Sequence, residues 1–171
     1  DGDGFGDVAV GAPVLGIGAS AAGTVDVFLS GRASTFSSRR QTSILGPSPS
    51  FGASVAIVPD MTGDGAAELV VGSCSRTSVP CATVVRVYRV IATPGILTPA
   101  TALIAQFTGD TAQRFGADLA GVGDLDGDGY GDMLIAAPGE FGATPGSFQV
   151  VRGGLAPTTS GDPIGAPAGT V

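Results

Sequence analysis

The chain has 171 residues, 43% of them hydrophobic, and fifteen Asp and Glu against eight basic residues, all Arg, for a formal net charge of −7. That length suits one domain with its own core, or a piece of one, and the acidity excludes a nucleic-acid partner, which needs a basic stripe. The absence of His removes Ser-His-Asp and Cys-His catalysis together with the commonest zinc or copper ligand, and no apolar run approaches the roughly 20 residues a membrane-inserted helix requires.

The chain opens on DGDGFGDVAVGAP, with no start Met and no basic-then-apolar leader, which reads as a cut N-terminus. An acidic turn runs into VAVGAP, and GTVDVFLSG follows as a second apolar run. The Ser-rich stretch ASTFSSRRQ, carrying Arg39 and Arg40, reads as a solvated connection to a third run, QTSILG. A new unit begins at Phe51 with FGASVAIVPDMTGDGAAELVVGSC, continues through CSRTSVPC and ATVVRVYRV, and closes on TALIAQFTGD. Another begins at Phe115 with FGADLAGVGDLDGDGYGDMLIAAPGE and continues with GSFQVVRGG. The Pro-, Gly- and Thr-rich tail LAPTTSGDPIGAPAGTV is a blade connection cut short or a disordered end.

These units are copies. Phe51 and Phe115, Asp60 and Asp124, Asp64 and Asp128, and Glu68 and Asp132 are each 64 residues apart, while Asp3 and Asp7 stand 61 residues before Asp64 and Glu68. Short runs rich in Val, Ile, Phe and Thr, bounded by Gly, Pro and Ser, read as strands, about four to each copy. VAVGA and MLIAA are apolar continuously rather than alternately, which predicts strands covered on both faces. Sheets stacked face to face around an axis supply that cover. The expected fold is therefore all-β, with four-stranded antiparallel β-propeller blades in a partial propeller of about 2.5 to 3 blades. A β-sandwich has no need of so long a period, and a β-solenoid uses shorter ones. The expected division is a partial blade over 1–50 lacking its first strand, a complete blade over 51–109, and a blade over 110–171 with an incomplete last strand and the tail.

The acidic loops carry the chemistry. In the third copy Asp124, Asp126, Asp128 and Asp132 take positions 1, 3, 5 and 9 of a nine-residue loop, with Tyr130 at position 7. Alternate side chains converge on one point if Gly127 and Gly129 let the backbone curl. Carboxylates so close repel one another unless a cation lies between them, and an all-oxygen donor set selects a hard ion such as Ca²⁺. The expected ligands are those four side chains and the Tyr130 carbonyl. An EF-hand would need Glu at position 12 and a helix beyond, whereas here position 12 is Ile135 and the following residues are strand-like. The second loop, DMTGDGAAE, offers Asp60, Thr62, Asp64, the Ala66 carbonyl and Glu68, with one carboxylate replaced by a hydroxyl and hence weaker binding. The first keeps Asp1, Asp3, the Phe5 carbonyl and Asp7, but its position 1 falls before the first residue, so weak or no binding is expected there. Ten of the fifteen acids lie in these loops, so much of the acidity is site charge.

Two other readings of the loops stand beside this one. Asp-Gly also makes hairpin turns, although a turn requires no further carboxylates at fixed offsets. Paired acids serve glycosidases, although an active site is seldom repeated in every unit.

The order of Phe-Gly, acidic loop and Gly-Ala-Pro resembles the FG-GAP repeat of integrin α-subunit propellers and of many bacterial extracellular proteins. FGAS with GDG at 51–65, FGAD with GDLDGDGYGD at 115–132, and DGDGFGDVAVGAP at 1–13 carry the resemblance, which departs at GSC in the second copy and AAP in the third. It implies a propeller, usually seven-bladed, with Ca²⁺ held between the first and second strands of some blades. It also implies a non-enzymatic segment of a secreted or cell-surface protein with an adhesion or scaffold role. Its partners would be a protein or glycan, the remaining blades, or further copies of itself. A carbohydrate-binding propeller and a propeller attached to an enzyme domain outside this chain are the alternatives. The first is weakened by the absence of Trp and by having only Tyr88 and Tyr130 as Tyr. Phe51 and Phe115 are expected in the core, with Gly52 and Gly116 permitting close packing. A disulfide between Cys74 and Cys81 suits an oxidising compartment; the alternative is two free thiols.

Overall fold

The computed structural model describes residues 4–14, 22–30, 41–48, 50–74, 83–90, 95–97, 103–139 and 145–155. Eleven strands and no helix are found among them, in three sheets. The first sheet runs β1 (Val8–Ala12), β2 (Thr24–Phe28), β3 (Gln41–Leu45), then β7 (Gly95–Leu97). The second runs β4 (Ser54–Val58), β5 (Glu68–Gly72), β6 (Val84–Arg89), β8 (Leu103–Thr108), and the third β9 (Asp118–Gly123), β10 (Asp132–Ala137), β11 (Ser147–Val151). Every pairing is antiparallel except β3 with β7. These are propeller blades, each meandering outward from its first available strand. No helix among the described residues is long and apolar enough to cross a membrane.

Strand β7 has no counterpart in the sequence pattern. It lies in the connection between β6 and β8 of the second sheet, yet pairs with the edge of the first, Ser43 opposite Ile96. Three residues carry no readable periodicity, and only the unpaired edge of β3 makes them a strand. The connection thus straps one blade to the next.

The core lies between sheets. In β5 every residue from Glu68 to Gly72 is buried. Leu69 and Val71 join Val25, Val27, Ile44 and Phe51 on one side, while Val70 joins Val85, Phe107, Phe115, Met133 and Ile135 on the other. Continuous apolarity in ELVVG therefore does reflect cover on both faces. The same expectation is corrected for VAVGA and MLIAA. Val8 and Val10 are 40% and 48% exposed, and in β10 Met133, Ile135 and Ala137 are buried while Leu134 and Ala136 are only half-buried. The reason is that each flanking sheet is stacked on a single neighbour among the described residues.

The repeated signature residues make the junctions. Phe51 and Phe115 are buried, one in each inter-sheet cluster, and burying a Phe side chain contributes up to about 3 kcal/mol. Phe51 meets Tyr88 edge to face, ring centroids 6.0 Å apart at 85°. A Cβ on Gly11 would lie 2.0 Å from the Gly52 carbonyl oxygen, and one on Gly72 would lie 2.5 Å from that of Gly116. The Phe-Gly start of each unit therefore sits on the glycine that opens the Gly-Ala-Pro position of the unit before. This is why GSC, though eroded, keeps its Gly72.

Candidate metal centre

Each acidic loop connects the first and second strands of its blade, β4 to β5 and β9 to β10. Gly63, Gly65, Gly127 and Gly129 all have positive φ, between 78° and 92°, so the curl expected of the loops is built from the residue best able to adopt it. The two loops share one hydrogen-bond scheme. Asp60 Oδ1 accepts the N–H groups of Gly63 (2.6 Å) and Asp64 (3.0 Å), and Oδ2 that of Gly65 (2.9 Å). Asp124 does the same for Gly127 (2.7 Å), Asp128 (3.1 Å) and Gly129 (2.9 Å). Asp64 accepts from the N–H of Ala66 and Asp128 from that of Tyr130, each at 2.9 Å.

Position 9 closes each loop. Glu68 Oε2 accepts the Met61 N–H at 2.6 Å, and Asp132 Oδ2 accepts the Leu125 N–H at 2.7 Å. Glu68 is fully buried and Asp132 almost so, at 1% exposure. Burial pushes the Glu68 carboxyl above its ordinary value. Hydrogen bonds from the Met61 N–H and the Thr62 hydroxyl pull it back, and the neighbouring charges of Asp64 and Asp60 raise it again. A cation in the loop would relieve that repulsion.

Asp60, Asp64 and Glu68 bring one carboxylate oxygen each within 4.8 Å of one another, as do Asp124, Asp126 and Asp128. Asp132 stands apart from the second trio, with its Oδ1 accepting the Gly153 N–H at 2.9 Å. Thr62 directs its hydroxyl to Glu68 Oε1, 3.0 Å away. Two arginines to which the sequence pattern assigns no role also reach the loops: Arg89 Nε lies 2.9 Å from Asp64 Oδ2, and Arg152 Nη1 lies 3.1 Å from Asp126 Oδ2. Both follow or end the strand paired with position 9, Glu68 lying opposite Arg89, and no local pattern announces that. In loop one Phe5 is 45% exposed and Asp7 Oδ1 accepts the Ser30 N–H at 2.7 Å. Asp1 and Asp3 lie outside the described residues. Cys74 is buried and is not a free thiol; Cys81 lies outside the described residues.

Residues 115–151 match the family model described as the FG-GAP repeat. The chain is also 37% identical over 113 residues to integrin alpha-IIb of Mus musculus, and equally to that of Homo sapiens. Each match covers 59% of this chain and 10% of the integrin, so the chain spans only a small part of the length of these relatives.

Proposed function

We propose that this chain, an FG-GAP repeat chain of the integrin α-like kind, is a calcium-binding β-propeller segment of a secreted or cell-surface protein, with an adhesion or scaffold role and no catalysis. The observation that carries the reading is that two loops 64 residues apart each gather three carboxylates within 4.8 Å, from positions 1, 5 and 9 in loop two and 1, 3 and 5 in loop three. The donors are all oxygen, which fits Ca²⁺ rather than a softer metal. In loop three the ligands are Asp124, Asp126, Asp128, the Tyr130 carbonyl and Asp132; in loop two they are Asp60, Thr62, Asp64, the Ala66 carbonyl and Glu68. Glu68 and Asp132 accept N–H groups already, but a carboxylate oxygen keeps a second lone pair for an ion. When bound, the ion neutralises the clustered charge and fixes the turn between first and second strands.

The partners that suit the outer faces are further propeller blades, since Val8, Val10 and Phe148 stand exposed on the flanking sheets. Calcium binding is tested by thermal melts of the whole chain in Ca²⁺ and in EDTA. An ion at about 100 times its dissociation constant adds about 2.7 kcal/mol, and for a chain of this size each kcal/mol moves the Tm by about 2–4 °C. Chelation should lower the Tm by about 5–10 °C per site, reversibly. Identical melts in both conditions would overturn the reading.

A further inference from the structure

The two loops touch each other through backbone. The Gly131 N–H donates to the Asp60 carbonyl at 3.0 Å, and the N–H groups of Gly154 and Leu155 donate to the Met61 carbonyl at 2.8 and 3.1 Å. Asp60 and Met61 are positions 1 and 2 of loop two. Gly131 lies between Tyr130 and Asp132, two expected ligands of loop three. The approach is close enough that a Cβ on Gly131 would fall 1.6 Å from the Pro59 carbonyl oxygen. The Tyr130 ring covers Gly63 of loop two, where an added Cβ would lie 2.8 Å from Tyr130 Cε1.

The Tyr130 carbonyl and the Gly131 N–H belong to a single planar peptide. In a trans peptide they point opposite ways, so aiming the N–H at Asp60 turns the carbonyl away from loop two, the sense a position 7 ligand needs. An ion drawing on that carbonyl would also polarise the peptide and strengthen its N–H as a donor. Asp60 stands at the other end of the same bond, with its side chain at position 1 of its own cage.

Resting on the calcium reading of both loops, we infer that the two sites are energetically coupled, filling of either one favouring filling of the other through the peptide between Tyr130 and Gly131. The second tie, from Gly154 and Leu155 to Met61, works in the same sense, because the adjacent Gly153 N–H is bound to Asp132. Coupling of this kind is reciprocal: each site must change the other's affinity by one shared factor.

Calorimetric titration of the whole chain with Ca²⁺ tests this. In the Asp126→Asn, Asp128→Asn variant, with loop three disabled, loop two should bind about fivefold or more weakly than in the parent. Loop three should weaken by the same factor in Asp64→Asn, which keeps the test alive if one variant does not fold. Hydrogen exchange at the Gly131 amide adds a readout: protection should rise when Ca²⁺ fills loop two of the first variant. Unchanged affinity at the remaining site, in variants that still bind one ion, overturns the coupling alone. No binding heat from the parent chain overturns the calcium reading itself.

Discussion

Gly72→Ala is the sharpest probe of how the blades meet. The added Cβ would lie 2.1 Å from Ser54 Oγ and 2.5 Å from the Gly116 carbonyl oxygen, and these two atoms are themselves joined by a buried 2.7 Å hydrogen bond. Neither neighbour is the free end of a flexible side chain, and Gly72 is buried at the end of a strand covered on both faces. The Ser54 bond must therefore break, and the sheets must still move apart around the Gly116 carbonyl. Overpacking costs about 1–3 kcal/mol and a lost buried hydrogen bond about 1 kcal/mol more, together about 2–4 kcal/mol. At about 2–4 °C per kcal/mol, the Tm should fall by about 4–16 °C. Circular-dichroism melts of the chain in Ca²⁺ provide the measurement, with Gly6→Ala as control, because nothing lies within 4 Å of a Cβ there and its φ is unexceptional. Adding Ser54→Ala to Gly72→Ala should recover part of the loss by removing the atom struck first. A Gly72→Ala melt within about 2 °C of the parent, less than a cost of about 2 kcal/mol allows, would refute the claim that this glycine is required by the junction.

Tyr88 is fully buried and its hydroxyl has no hydrogen-bond partner among the described residues, so Tyr88→Phe keeps the ring against Phe51 while removing a polar atom that none of them satisfies. Denaturant melts should show equal or greater stability, by up to about 2 kcal/mol, and a loss would mean the hydroxyl is satisfied in solution. Burial pushes that phenol up from 10.0 to about 12; with the folded value raised, its contribution is intact below pH 10 and lost as pH rises through about 12, a loss Tyr88→Phe should lack. The expected disulfide between Cys74 and Cys81 closes a loop of about eight residues and contributes about 2.5 kcal/mol. Reduction should lower the Tm by about 5–10 °C, and an unchanged melt with dithiothreitol would remove the disulfide from the account.

Much of the fold is legible in the sequence because the repeat writes it three times. Phe51 with Phe115 and Asp60 with Asp124 share one spacing, so each strand-loop-strand unit aligns on its copy and reads as a blade. The positions of the loop acids are legible for the same reason: alternate residues of a glycine-rich turn face one point whatever surrounds it. Less legible is what a carboxylate does at the end of the loop. Asp132 looks like its companions in sequence, yet its oxygens hold the Leu125 and Gly153 N–H groups while Asp124, Asp126 and Asp128 gather together.

Local and periodic features can be read along the chain: the strands, the glycine-permitted curl and the acidic positions, all set by backbone preference and by spacing along one segment. Packing set which faces were covered, since VAVGA and ELVVG look alike but, among the described residues, only the second lies between two sheets. It also decided that β7 leaves its own blade for the edge of β3, that Gly72 meets Gly116, and that Gly131 binds Asp60. Each of these depends on a partner far away in the chain, about 70 residues in the last case, and the pattern of one segment does not say which other segment it will meet.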